Sequence, residues 1–516
     1  MKFNKLFLGF LAAGVLAACT NDNQGPDGVG NNELVTSYVA LNVKAAVDVN
    51  RAVTDGGFAE GSNDEQAVNK AHFFFFNQAG GAFAINAESK EAGDGENYIV
   101  RNVSDIGNNL DNVETITNTV VAIKNNKGEI PASVVAVLNW DYNGGAIALE
   151  TLKTQLIDLA AATDKTNGFI MSNSVYVAGS EVVEATPIEA INIASSQEDA
   201  ENAPIDIYVE RLAAKVMVVQ NNTSFDTGVA VPGGTGNIQA KIKGWSLNTT
   251  IDKSNLIKNV SADWITAAPF ANWNDILNFR SYWAASASTG TLLDKDFSYN
   301  ELVNAVGEPV HCLENTDNAT GNNTKALVAV EFFDGNDNAV QVAKFYGGYM
   351  TFNDLKNYVA NSFASTYYCD NGADKVSIAA DDIEFAAVES ADIHDSYKVT
   401  YKLTTAAKAK NWYLSDGTSV TTDDVEAALA TVEKAQAWNG KGYYIVNIEH
   451  FGNKLGVVRN HSYEINVTGI EGLGTAVYDG DKIVDEPVSP VDDNSYIAAR
   501  INVLSWKIVK NDVVLQ

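Results

Sequence analysis

The amino-acid sequence predicts a mainly β protein, built as β-sandwich domains that carry a few helical insertions. Three observations lead there. Apolar and polar residues alternate with period two in several stretches, the mark of strands with one buried face. Short, continuous apolar runs (Phe73-Phe74-Phe75-Phe76, Val134 to Trp140, Phe169 to Val177) read as buried strands. Gly-, Asn- and Asp-rich loops separate them, and only two segments have helical spacing.

The chain opens with Lys2 and Lys5 ahead of an apolar stretch from Leu6 to Ala18. That stretch is shorter than the roughly 20 residues needed to cross a bilayer, so 1–18 reads as a signal peptide. Its ending, Leu16-Ala17-Ala18-Cys19, resembles the lipobox of bacterial lipoproteins, in which the cysteine thiol is lipidated. A polar tether follows over 20–34. Val39, Leu41, Val43, Ala45, Val47 and Val49 are then apolar at every odd position, which predicts a strand with one buried face. Directly after it comes Arg51-Ala52-Val53-Thr54-Asp55-Gly56-Gly57, a loop holding one of only six arginines in the chain. Anchor, strand and protease site in series suggest a strand that is meant to be removed.

Farther along, alternation is clean in Tyr397 to Leu403 and in Ser462 to Thr468, where Tyr463, Ile465 and Val467 share a face. Leu149, Leu152, Leu156 and Leu159 have helical spacing within Ala146 to Ala162. A second helix follows the capping run Thr421-Thr422-Asp423-Asp424, with Val425, Leu429 and Val432 on one side. A length of 516 residues implies two or more domains, and the turn-rich 220–235 stretch is the expected boundary. The end of the chain, Tyr496 to Gln516, is strand-like throughout. Ile497, Ala499, Ile501 and Val503 hold one phase, and Leu504, Trp506 and Ile508 the opposite one. That switch predicts a bulge or a handover between partners.

Composition excludes several functions. A net charge of −30 lacks the basic footprint that nucleic acid requires. His72, His311, His394, His450 and His461 are scattered, with no His-Glu-x-x-His pattern, nucleophile elbow or phosphate loop. Asp334-Gly335-Asn336-Asp337-Asn338 and Asp479-Gly480-Asp481 lack the spacing of calcium loops and read as turns. His461, at the head of an alternating strand, reads as structural. Phe279-Arg280-Ser281-Tyr282-Trp283-Ala284 reads as core, with a sugar-stacking platform as the alternative. Besides Cys19, only Cys312 and Cys369 are present, too few for a disulfide framework. No catalytic residue, metal or cofactor is expected.

Several segments together resemble the fimbrillins, the lipoprotein-derived (type V) pilus subunits of Gram-negative anaerobes, and among them the shaft subunits of short (minor) fimbriae. They are Phe169 to Ser174, Glu210 to Val216, Arg280 to Ala284, Cys312 to Thr316, Val457 to Tyr463 and Ala499 to Trp506, with Ala476 standing where proline is expected. The resemblance implies two transthyretin-like β-sandwich domains, 52–225 and 226–516, and no enzymatic activity. It implies a lipidated propeptide over 19–51 that travels to the outer membrane on Cys19. An arginine-specific or trypsin-like protease then cuts between Arg51 and Ala52. The strand Val39 to Val49 leaves, and the C-terminus of the next copy fills its place. Val503, Leu504, Trp506, Ile508, Val509, Val513, Val514 and Leu515 are the expected donor. The expected partners are other copies in a head-to-tail filament, accessory anchor and tip pilins, and the protease. The lipid anchor belongs to the precursor alone, and the end product is an adhesive cell-surface fimbria. A tip adhesin of the same pilus and a monomeric glycan-binding lipoprotein are the alternatives.

Overall fold

The computed structural model describes residues 35–45, 61–85, 93–102, 115–125, 129–178, 181–260, 284–285, 290–293, 296–316, 322–388, 397–450, 454–483, 496–505 and 508–511. The signal peptide, Cys19, Val47, Val49, Arg51, Ala52, 279–283, His394, Trp506 and Val513 to Leu515 lie outside them.

In chain order the first strands are β1 (Val35–Ala45), β2 (Lys70–Phe76), β3 (Tyr98–Asn102), β4 (Thr115–Asn125), β5 (Ser133–Leu138) and β6 (Leu156–Asp158). Then come β7 (Met171–Asn173), β8 (Tyr176–Ala178), β9 (Glu181–Val183), β10 (Thr186–Pro187), β11 (Ile193–Ala194) and β12 (Ile205–Arg211). Four short helices, α1 (Asn63–Gln66), α2 (Leu149–Lys153), α3 (Leu159–Ala162) and α4 (Gln197–Glu201), lie between them. One nine-stranded sheet runs β11-β1-β12-β7-β5-β2-β3, with β10 on β5 and β4 on β1. The phenylalanine run explains why this sheet is covered on both faces. Phe73 and Phe75 pack with Val134 and Ala136 of β5, whereas Phe74 and Phe76 pack with Val135 and Val137 on the other side.

The second half contributes β13 (Ala213–Gln220), β14 (Phe225–Ala230), β15 (Asn237–Asn248), β16 (Thr250–Ile251), β17 (Lys253–Asn255), β18 (Leu292–Leu293), β19 (Val310–Leu313) and β20 (Lys325–Phe333). Strands β21 to β29 lie in an insertion between Gln341 and Asn439. The chain ends with β30 (Lys441–Asn447), β31 (Glu449–His450), β32 (Lys454–Leu455), β33 (His461–Glu471), β34 (Thr475–Val477), β35 (Tyr496–Ser505) and β36 (Ile508–Asn511). Two five-stranded sheets, β19-β13-β33-β35-β36 and β14-β15-β20-β30-β34, face each other. Val216, Val218, Ile465 and Val467 from one meet Trp245, Val328, Val330 and Tyr444 from the other, which makes a β-sandwich. The insertion has a core of its own around Leu355, Val359, Trp412, Val425 and Leu429. Sheet membership changes between Arg211 and Ala213, so this sandwich begins with β13, ahead of residue 226.

Several local expectations change. The single helix expected over Ala146 to Ala162 is instead α2, β6 and α3. Thr154 ends α2 by donating its hydroxyl to the Glu150 carbonyl at 3.1 Å. Ile157 then pairs with Ser254 of β17, and Asp158 caps α3 by accepting from the Ala161 N–H at 2.8 Å. Pairing across the chain overrides leucine spacing here. Phe169 to Val177 is not one strand either, because β7 and β8 are separate and the Ser174 N–H turns to Tyr208 of β12. Ala476 occupies a ladder position opposite Gly442, not a turn. By contrast Val399, Tyr401 and Leu403 are buried on one face, as alternation predicts, and Thr421 caps the helix Thr422–Leu429.

Candidate assembly groove

Strand β1 lies inside the sheet, with a neighbour on each side. It runs antiparallel to β4 from Val35↔Asn125 to Lys44↔Thr115 along one edge, and meets β11 at Val39↔Ile193 on the opposite edge. On that opposite edge it also runs parallel to β12, from Leu41↔Ile205 to Ala45↔Val209. Val39 and Leu41, both 0% exposed, pack with Phe73, Phe75 and Ile207. One-sided burial was expected, yet Ala40 between them is also buried, at 1%. Helix α4 packs against β1 and β4, and Ala200 within it is fully buried. Ser196 caps α4 by accepting from the Asp199 N–H at 3.1 Å.

Among the described residues, β4 has a ladder only with β1. Taking β1 away would leave β4 without a strand partner and β12 without its parallel neighbour. It would also remove Val39 and Leu41 from the core. A two-edged slot results, with backbone donors and acceptors on both walls and an apolar floor.

The first described residues after Arg51 are fastened to the second half of the molecule. Glu65, 4% exposed, belongs to a capping box with Ser62, whose N–H donates to Glu65 Oε2 at 2.8 Å. Its carboxylate also meets Lys215 Nζ at 2.9 Å and His311 Nε2 at 2.8 Å, residues opposite each other on β13 and β19. Arg211 Nε donates to the Glu65 carbonyl at 2.6 Å. Burial raises the carboxyl's pKa, but the bonds from His311 and Lys215 outweigh it and hold the value at about 2.

At the end of β12 lies a buried ionic group. Lys258 Nζ is 2.8 Å from Glu210 Oε2, and Arg459 is 3.2 Å from Glu314 Oε1; all four side chains are at most 2% exposed. Glu210 follows Val209, the last residue of β12 paired with β1, while Glu314 and Arg459 lie beside β19 and β33. Arg459 also donates to Ser254 Oγ at 2.8 Å and to the carbonyls of Asn255 and Leu256 at 2.7 and 3.1 Å. Burial raises the Glu210 pKa, opposed by Lys258 and Arg459. With every member sealed from solvent and shared between segments, the group acts as a structural lock and not as a reaction centre.

At the far end, β35 pairs with β33 along its whole length, from Glu471↔Tyr496 to His461↔Ser505. Strand β36 folds back on β35, with Leu504 opposite Ile508. Val503 and Leu504 pair in unbroken register with Tyr463 and Ser462, so no bulge lies at the phase switch. Of the expected donor residues, Val503 and Leu504 lie in β35, and Ile508 and Val509 in β36. The structure keeps this end on its own sheet, away from β1.

Other candidates resolve into structure. His461 Nδ1 lies 2.7 Å from the Arg459 carbonyl, and His450 Nδ1 lies 3.0 Å from the Tyr463 hydroxyl. The Asp334 carboxylate accepts from the N–H groups of Asn336 and Asn338, which makes a turn. Cys312 and Cys369 are free and buried in different cores. Ala284, closing the aromatic segment, is buried at 1%. Among the described residues, no group of His, Cys, Asp and Glu could hold a metal. Sequence reasoning missed Glu65, Lys258 and the ionic role of Glu210, Glu314 and Arg459. The usable signal was charge inside apolar segments such as Val457-Val458-Arg459.

Residues 438–512 match the family model described as "Major fimbrial subunit protein type IV, Fimbrillin, C-terminal". The curated proteins contain no match. Among solved structures, a fimbrilin from Porphyromonas gingivalis W83 is 12% identical, with a TM-score of 0.37, 92% of this chain and 98% of that chain covered. The tip fimbrial protein Mfa3 of Porphyromonas gingivalis, with a C-terminal truncation, is also 12% identical, with a TM-score of 0.30 and coverage of 91% and 100%. These overlays are loose, and the assignment rests on the family match together with the motifs that resemble the fimbrillins. Over residues 438–512 the chain is similar to the C-terminal part of the fimbrillins, a family of fimbrial subunits.

Proposed function

We propose that this protein is the polymerising shaft subunit of an adhesive cell-surface fimbria, assembled by protease-triggered strand exchange. One observation carries the reading: β1, just upstream of Arg51, is an interior strand on which β4 depends for its ladder. A strand so placed closes the N-terminal domain during export. Its removal creates an acceptor that only another extended segment can satisfy.

Cys19 anchors the precursor at the outer membrane, and cleavage after Arg51 by an arginine-specific or trypsin-like protease leaves Ala52 as the new N-terminus. The donor is the C-terminal segment, roughly Val503 to Leu515, of the next copy. Strand β36 is the part that detaches with least loss, because among the described residues it is the edge strand and has a ladder only with β35. Head-to-tail exchange yields an open filament, which anchor and tip pilins begin and end.

The test combines N-terminal sequencing with electron microscopy of trypsin-treated precursor. Wild type is expected to begin at Ala52 and form filaments. Arg51→Ala, and a chain truncated after Arg500, are expected to stay monomeric. Normal filaments from either variant would overturn the mechanism.

A further inference from the structure

We propose that the subunit carries a binding site for a neutral sugar, in a cleft between the sandwich and the insertion. The cleft has a volume of about 640 Å³, and small-molecule sites run to roughly 300–1,000 Å³. Asp226 and Gly228 of β14, Asn237 of β15 and Glu471 at the end of β33 line it on the sandwich side. The facing wall is the first hairpin of the insertion, β21 (Gln341–Phe345) and β22 (Gly348–Thr351). That hairpin brings Lys344 and Tyr349, opposite each other in its ladder, and the turn residue Gly347.

The polar groups are held in place before any ligand arrives. Asp226 Oδ1 accepts from the Gly228 N–H at 2.8 Å, and Asn237 Nδ2 donates to both carboxylate oxygens, at 3.0 and 3.2 Å. These bonds leave acceptor capacity on Oδ2. Lys344 Nζ lies 5.4 Å from the centre of the Tyr349 ring, and that ring packs at 5.9 Å on the buried Trp438. Gly228 and Gly347 have φ of +72° and +82°, and a Cβ at either would enter open space. The glycines that the backbone requires at these turns therefore also keep the mouth clear.

Charge and shape select the ligand class. Two carboxylates against one ammonium disfavour a phosphate or other anion, and so polar a lining is desolvated at a loss by an apolar molecule. A pyranose suits it. One hydroxyl donates to Asp226, a neighbouring hydroxyl accepts from the Lys344 ammonium, and a C–H face lies against the Tyr349 ring. A single site of this kind is weak, but copies repeated along a fimbria add by avidity.

Saturation-transfer NMR on the purified, unpolymerised protein tests the site independently of strand exchange. Lactose stands for the galactose-ended glycans of host surfaces, and methyl α-rhamnoside for bacterial cell-wall polysaccharide. Transfer to at least one is expected, and the stronger response names the source; no transfer to either would overturn the site. Asp226→Asn keeps an oxygen for the Gly228 N–H, and Lys344→Met keeps the aliphatic stem. Each should weaken binding about tenfold or more while melting like wild type. Unchanged binding in either variant would overturn the assignment to this cleft. Tighter binding of sialyllactose than of lactose would overturn the choice of a neutral ligand.

Discussion

At Glu65 a single carboxylate joins the α1 segment to β13 and β19. Its cost of burial is offset by the Ser62 N–H, Lys215 and His311. The resulting pKa, about 2 against an ordinary 4.5, ties this contact to pH with a definite sign. As pH falls, the unfolded chain takes up the proton first. The stabilisation is therefore complete above about 4.5 and is lost as pH falls through about 2. At about 1.4 kcal/mol per unit, the shift is worth roughly 3 kcal/mol. Glu65→Gln should lower stability by about 2–3 kcal/mol at pH 7, and its gap from wild type should close between pH 4.5 and 2. Urea-unfolding midpoints at pH 7, 4 and 2.5 check this; a gap that stays constant across them would remove Glu65 from the account.

Among the elements, β1 and β4 depend on each other, and cleavage should expose that dependence. In uncleaved precursor, amides of 115–125 and 205–209 should resist hydrogen exchange. In mature monomer kept dilute they should exchange at least tenfold faster, and in filaments the protection should return. Unchanged protection of β4 after cleavage would mean that β1 is not what holds it. Strand β1 was legible in the sequence because Val39, Leu41 and Val43 alternate with small or polar neighbours, and β2 and β5 because their apolar runs are continuous. The burial of Ala40 was not legible, since alternation says nothing of distant elements such as α4, which packs on β1 from residues 197–201. The leucines of 149–159 misled for the same reason. Their spacing is local, whereas the bond that makes β6 a strand comes from Ser254 of β17. The clamp at Glu65 and the group around Arg459 likewise join residues far apart in the chain, so no local pattern announces them.

For the molecule as a whole, a net charge of −30 makes neighbouring copies repel, so cohesion must come from ladders and from the interior of each subunit. In the proposed filament, pull would enter one half of a subunit through the slot and leave through the C-terminal strands. The lock of Glu210, Lys258, Glu314 and Arg459 lies on that route, joining β12 to the segments beside β17, β19 and β33. Its value is best read by unequal replacement. Lys258→Met alone leaves Glu210 buried without its ammonium partner and should cost about 3–5 kcal/mol, because an uncompensated charge remains. Adding Glu210→Gln removes that charge and should recover more than half of the loss, since a neutral pair of similar volume tolerates burial. Calorimetry of the single and double variants measures both steps. If the double variant proves as unstable as Lys258→Met, packing and not charge pairing holds the halves together, and the ionic group has no part in carrying load.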